Sequence, residues 1–205
     1  MLADTKSAYA LQMHEVLEEM GDVVVADEEF IKRVGNKDQH EIFREFLQTE
    51  DERIIEQALN FYSSLYDKFV KKRRLFDNIP EILEKLSSTY KLAIVSRKDQ
   101  KMIEHWIKYF GIEKFFEDVI GTLEDTKAKA ITRLMAKHKL SSNSVIMIGD
   151  TTFDITSAKE AQVISILAVY GVSDEETFKS NPDYLLEDIV FLPELVKQIE
   201  KDYST

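Results

Sequence analysis

From residue 76 onward the chain alternates short, nearly unbroken apolar runs with helix-period segments. That alternation limits the fold more than any other feature. The runs are Lys91–Ser96, Asp118–Gly121, Ser144–Asp150, Val163–Val169 and a short one around Tyr184–Leu186. Between them lie stripes at helical spacing: Ile82, Leu83 and Leu86; Ile103, Trp106, Ile107 and Phe110; Ile131, Leu134 and Met135; then a segment carrying Ala158 and Ala161. Strands without polar alternation are buried on both faces, and strand–helix repetition builds a parallel sheet covered by helices. The expectation is therefore an α/β fold with a parallel sheet.

Residues 1–75 read differently. Tyr9, Met13, Val16, Leu17 and Met20 repeat at helix spacing, as do Ile42, Phe43, Phe46 and Leu47. A longer stripe holds Ile54, Ile55, Ala58, Leu59, Tyr62, Leu65, Tyr66 and Phe69. The stretch is expected to be helical throughout, closing on the basic cluster Lys71–Arg74, which is expected to be a solvated helix end.

In parallel sheets ligands gather at the carboxyl ends of the strands. Two of those ends carry chemistry. The run Ser144–Asp150 leads into Gly149-Asp150-Thr151-Thr152-Phe153-Asp154. A carboxylate at a strand tip suits Mg²⁺, which wants hard oxygen ligands, and a second carboxylate one helical turn on can orient it. The plainer role for both is helix capping. Ser96 ends another run, where a hydroxyl and the backbone N–H groups after it can grip phosphate oxygens; its plainer role is an N-cap. Lys127 lies one helix and one strand upstream of Asp150, at the same sheet edge, where an ammonium can neutralise phosphate. Taken alone it is a surface lysine, and Lys129 is equally eligible.

Together, Leu92–Ser96, Lys127 and Gly149–Asp154, in that order, resemble the haloacid dehalogenase-like phosphohydrolases. Leu167–Gly171 and Asn181-Pro182-Asp183-Tyr184 resemble the phosphoglycolate-phosphatase-like branch of that family. The resemblance implies a three-layer Rossmann-like core at residues 76–205 and an inserted α-helical cap at residues 1–75. It implies Ser96 and Lys127 on the transferred phosphoryl group, and Asp150 with Asp154 at a Mg²⁺ ion. The implied substrate is a small organic phosphate ester of phosphoglycolate type, and the branch spans phosphatases and mutases. His138 matches no motif and is expected to be structural.

The family's nucleophile is an Asp ending the first, central strand, with a general acid/base Asp two residues later. Met1-Leu2-Ala3-Asp4-Thr5 resembles the tail of that motif, with Leu2 and Asp4 in register. The strand and both carboxylates are thus expected upstream of Met1. Without them the two flanking strands would stand about 10 Å apart, twice the usual strand spacing of about 4.8 Å. Residues 1–205 alone are expected to fall roughly 10⁶-fold short in turnover. A phosphate- or metabolite-binding pseudoenzyme is the alternative, and an interaction module built on the helical first third is a further one.

Composition excludes other classes. A net charge of −11 repels nucleic acid and anionic membrane. With no cysteine there is no disulfide, thiolate metal site or cysteine nucleophile. The longest apolar runs are too short to span a bilayer, and the N-terminus lacks the layout of a signal peptide, so a cytoplasmic location is the default expectation.

Overall fold

A computed structural model of the chain describes residues 1–21, 24–34, 37–122, 125–173 and 175–203. The chain divides into two compact units, one of residues 2–76 and one of Met1 with residues 77–205.

In the first unit, strand β1 (Ala3–Asp4) pairs antiparallel with β2 (Arg74–Leu75), joining the two ends of the unit. Between them run α1 (Lys6–Gly21), α2 (Asp27–Val34), α3 (Gln39–Phe46), α4 (Glu52–Ser64) and α5 (Tyr66–Phe69). The helices start where polar side chains satisfy otherwise unpaired N–H groups: Asp38 and Glu41 form a capping box on α3, and Asp51 caps α4. The apolar stripes converge on one core of Tyr9, Met13, Val16, Leu17, Phe30, Ile42, Phe43, Ile55, Ala58 and Leu65. The long α4 stripe is thereby spent on internal packing. Among the described large apolar residues of this unit, Leu11 and Val24 are exposed, and they form no patch on the α4 stripe.

The basic cluster corrects the sequence reading. Lys71, Lys72 and Arg74 are exposed, but Arg73 is buried. A 3₁₀ turn at Val70–Lys72 swings it inward. Its guanidinium donates to Gln12 Oε1 and, at 3.3 Å, to the Tyr66 carbonyl, and it stacks on the Tyr66 ring 4.3 Å from the centroid. Burial pulls its pKa down.

The second unit follows the alternation of the sequence: α6 (Ile79–Ser87), β3 (Ala93–Ser96), α7 (Gln100–Tyr109), β4 (Asp118–Gly121), α8 (Lys127–His138), β5 (Ile146–Gly149), α9 (Thr152–Glu160), β6 (Ile164–Ala168), α10 (Glu175–Lys179), β7 (Tyr184–Leu186) and α11 (Leu192–Tyr203). All strand pairs are parallel, but they form two sheets. One is β3–β4, with Ser96 opposite Gly121; the other is β5–β6–β7, with Gly149 opposite Leu167. Central β6 is buried along its whole length, as its unbroken apolar run requires.

Among the described residues, β3 and β5 are each paired along one edge only. Both nevertheless lie on the same helical layer. Val95 of β3 and Met147 of β5 pack on a cluster of Ala128, Ile131, Ala158, Ala161 and Val163 from α8, α9 and the start of β6. Ile94, Val95, Ile146, Met147 and Ile148 are only partly buried despite being apolar. Among the described residues, no strand pairs with the second edge of β3 or of β5.

Candidate active site

The carboxyl end of β5 is built around Asp154. Thr151 caps α9 and Asp154 closes the capping box from the third helical position. Asp154 Oδ2 accepts from the Thr151 hydroxyl at 2.8 Å, the Thr151 N–H at 3.1 Å and the Asp150 N–H at 3.2 Å. Its Oδ1 receives the Lys127 ammonium, and the two side chains are only 12% and 6% exposed. Burial pushes the Asp154 carboxyl up, but the Lys127 charge and hydrogen bond, with that of Thr151, outweigh it and hold the group below the usual carboxylate range. Gly149 makes this fold-back possible, because a β-carbon there would overlap the Asp154 carboxylate.

Lys127 is the first residue of α8, directly after the Thr126 cap. This separates it from its rival. Lys129 is 73% exposed and pairs with Asp125 at 3.5 Å, whereas Lys127 is buried against Asp154.

Asp150 serves no cap. Its Oδ2 accepts from the Val172 N–H at 3.1 Å and lies 3.2 Å from the Met1 nitrogen. Gly171 lies flat against the same carboxylate. Tyr170 stands close by: burial first, then the charges of Asp150 and Asp188, push its phenol pKa up.

Ser96 is not an N-cap either; Asp99 caps α7. The Ser96 carbonyl accepts from the Thr122 N–H at 2.7 Å and the Thr122 hydroxyl at 3.1 Å. Its Oγ accepts from the Lys98 N–H at 3.3 Å, which leaves the hydroxyl proton available to an oxyanion. The loop after β3 folds tightly over β4: a β-carbon at Gly121 would come within 2.6 Å of the Lys98 carbonyl oxygen. Arg97 in this loop reaches the start of α9, its Cζ 4.0 Å from the centre of the Phe153 ring. The β3 loop and the helix after β5 thus meet.

Of the residues singled out in the sequence, Lys127 and Asp154 are in direct contact, Asp150 adjoins them through its N–H, and Ser96 stands at the end of β3, in the other sheet. Sequence reasoning missed Arg97, Phe153, Tyr170 and Gly171 as neighbours of this site. Phe153 lay within Gly149–Asp154 and Tyr170 and Gly171 within Leu167–Gly171 without a role of their own, and Arg97 was signalled only by following Ser96. The His138 ring donates to Asp118 at 2.6 Å at the opposite end of β4, a structural contact.

The family description "haloacid dehalogenase-like hydrolase" matches residues 1–199. The chain belongs to the haloacid dehalogenase-like hydrolases. Among its relatives in that family is the phosphoglycolate phosphatase of Vibrio cholerae, 33% identical over 147 residues, covering 68% of this chain and 65% of that enzyme. The phosphoglycolate phosphatase of Vibrio parahaemolyticus is 28% identical over 208 aligned positions, covering 95% of this chain and 91% of the relative. A haloacid dehalogenase-like family protein from Streptococcus pneumoniae superposes with a TM-score of 0.87 at 25% identity, over 95% of this chain and 93% of the other. Among the described residues of this haloacid dehalogenase-like chain, no helix is long and apolar enough to cross a membrane.

Proposed function

We propose that this chain is the body of a Mg²⁺-dependent phosphomonoester hydrolase acting on a small organic phosphate of the phosphoglycolate type. One observation carries the reading. Ser96, Asp150 and the buried Lys127–Asp154 pair gather at the carboxyl ends of parallel strands in a haloacid dehalogenase-like chain. The names of the Vibrio relatives support the substrate class. Ser96 and Lys127 bind the phosphoryl oxygens. The helical unit of residues 2–76 acts as the cap that excludes water from the reaction.

The donor set fits Mg²⁺. Among the described residues there is no group of three or more His, Asp or Glu side chains placed to hold a metal. Mg²⁺ needs no such cage, since it takes one or two carboxylates, phosphate oxygens and retained water. Asp150 is the ligand. Asp154 has both oxygens engaged and orients it. When bound, the ion supplies positive charge that polarises the phosphoryl group.

None of these residues is a nucleophile. That role belongs to an Asp on a strand filling the space between β3 and β5, with a second Asp two residues later as general acid/base. This is supported by the second edges of β3 and β5, which lack strand partners among the described residues. The second reading, a phosphate- or metabolite-binding protein without turnover, is favoured by the same residue set, which binds and orients but does not attack.

Hydrolysis of an aryl phosphate with Mg²⁺ separates the two. Residues 1–205 are compared with a form extended upstream of Met1 by a strand carrying Asp-x-Asp. Turnover by the extended form alone supports the hydrolase. Phosphate binding without turnover in either form supports the binding protein. Turnover by residues 1–205 would mean that the nucleophile lies within them.

A further inference from the structure

Gln100 has no part in the chemistry above, yet it grips the strand beside Ser96. It is the first residue of α7, directly after the Asp99 cap. Its side chain folds back onto β4. Nε2 donates to the Val119 carbonyl at 2.9 Å and to Glu104 Oε1 at 2.7 Å, and Oε1 accepts from the Gly121 N–H at 2.7 Å. β4 pairs with β3 along one edge, and among the described residues no strand pairs with its other edge. The Gln100 amide takes that place for one step of the ladder. It accepts from one backbone N–H and donates to the carbonyl two residues earlier, as a residue of a neighbouring strand would.

Three partners fix the amide one way round. Turned over, its oxygen would face a carbonyl and a carboxylate, and its NH₂ would face an N–H. Gly121 lies at the middle of the arrangement. It stands opposite Ser96 in the β3–β4 ladder, and its N–H is held by Gln100 on the outer edge. Residues 97–99, between those two points, cross closely over Gly121. A β-carbon there would come within 2.6 Å of the Lys98 carbonyl oxygen and 2.7 Å of the Gln100 nitrogen. The span therefore has two anchors: Ser96, whose carbonyl accepts from Thr122, and the Gln100 side chain. Inside it, the Lys98 N–H donates to Ser96 Oγ at 3.3 Å and so helps to set the direction of that hydroxyl. The shape of the span decides where this N–H points.

We infer that Gln100 is a positioning residue of the phosphoryl-binding site: by closing the outer edge of β4 it holds residues 97–99 in the shape that orients the Ser96 hydroxyl. Gln100 acts through Ser96 and not on the ligand itself. This rests on the phosphoryl-binding role proposed above for Ser96, and it holds whatever the nucleophile, because it concerns binding.

The test is calorimetric titration of residues 1–205 with inorganic phosphate in Mg²⁺, for the wild type, for changes at Gln100 and for the same changes combined with Ser96→Ala. Gln100→Glu keeps the size of the side chain and an oxygen for the Gly121 N–H, and an acidic residue suits the first turn of a helix. It loses both donors and sets a carboxylate against the Val119 carbonyl and Glu104. Gln100→Leu removes all three hydrogen bonds without adding charge. Each should weaken phosphate binding about tenfold, the scale on which loss of an orienting partner lowers affinity at a binding group, with an unchanged near-UV circular dichroism spectrum. In the Ser96→Ala background the same changes should bring little further loss, because the hydroxyl they misplace is gone. A merely structural role would lower the unfolding midpoint and leave phosphate affinity at the wild-type value. An equal loss with and without the Ser96 hydroxyl would mean that the amide does not act through it. Either result overturns the inference while the phosphoryl site stands. No phosphate binding by the wild type, or binding that Ser96→Ala leaves untouched, overturns the role of Ser96 and the inference with it.

Discussion

Gly171 occupies a place where any side chain would run into Asp150: a β-carbon there would overlap both Cβ and Oδ2 of the aspartate. The two meet because the turn after β6 passes over the tip of β5, and the next N–H, that of Val172, donates to the same Oδ2. The carboxylate is thus fixed from one side by a flat backbone surface. Gly171→Ala has nothing to displace but the aspartate, so the expected effect is a shifted Asp150 in an otherwise intact fold. Mg²⁺-dependent binding of inorganic phosphate should fall about tenfold, the equivalent of roughly 1.4 kcal/mol, with an unchanged near-UV circular dichroism spectrum. Full binding by this variant would show that Asp150 is not held for a ligand.

The Lys127–Asp154 pair is buried on both sides. Removing one partner from such a pair strands the other charge in a poor solvent, at a typical cost of about 3–5 kcal/mol. Lys127→Met should therefore unfold at markedly lower urea. The Lys127→Met/Asp154→Asn double variant should be destabilised by less than the sum of its single changes, because it leaves no orphan charge. Strict additivity in that cycle would mean that the pair does not interact as described.

At the far end of β4, Asp118 takes hydrogen bonds from Lys137 and His138, and these hold its carboxyl below the usual carboxylate range. A carboxyl depressed in the folded state stabilises above its unfolded pKa of about 3.9. That contribution is lost as pH falls through the lower, folded value. Urea melts between about pH 5 and pH 3 should show the wild type converging on Asp118→Asn as the pH drops. A stability difference that stays constant over this range would count against the contact.

Much of this was readable in advance, for identifiable reasons. Strand and helix alternation is a local signal, so β3 to β7 fall within a few residues of the apolar runs. Ser96, Lys127 and Gly149–Asp154 stand at sequence positions where strands end and helices begin, so their placement followed from the same periodicity. Arg73 was misread because four adjacent basic residues look alike in sequence. Only the 3₁₀ turn before it, and the polar pocket made by Gln12 and Tyr66, decide which one turns inward. The contacts of Gly171 with Asp150 and of Arg97 with Phe153 join segments far apart in the chain, and no local pattern announces them.

The unpaired edges of β3 and of β5 make a prediction that needs no substrate. An amide bonded into a sheet and buried exchanges its hydrogen only on substantial opening, whereas one facing an unpaired edge exchanges readily. Residues 164–168 of β6 are buried and paired on both sides, so they should be the slowest in the chain. Residues 93–96 and 146–149 are paired on one side each, and the amides of their unpaired edges should exchange orders of magnitude faster than those of β6. Extending the chain upstream of Met1 by an apolar strand should slow these edge amides selectively, because only they gain partners. It should also raise the unfolding midpoint, since each new ladder bond is worth about 1 kcal/mol. Uniform protection of β3, β5 and β6 in residues 1–205 would mean that the two sheets close on each other, and the space proposed for the nucleophile-bearing strand would not exist.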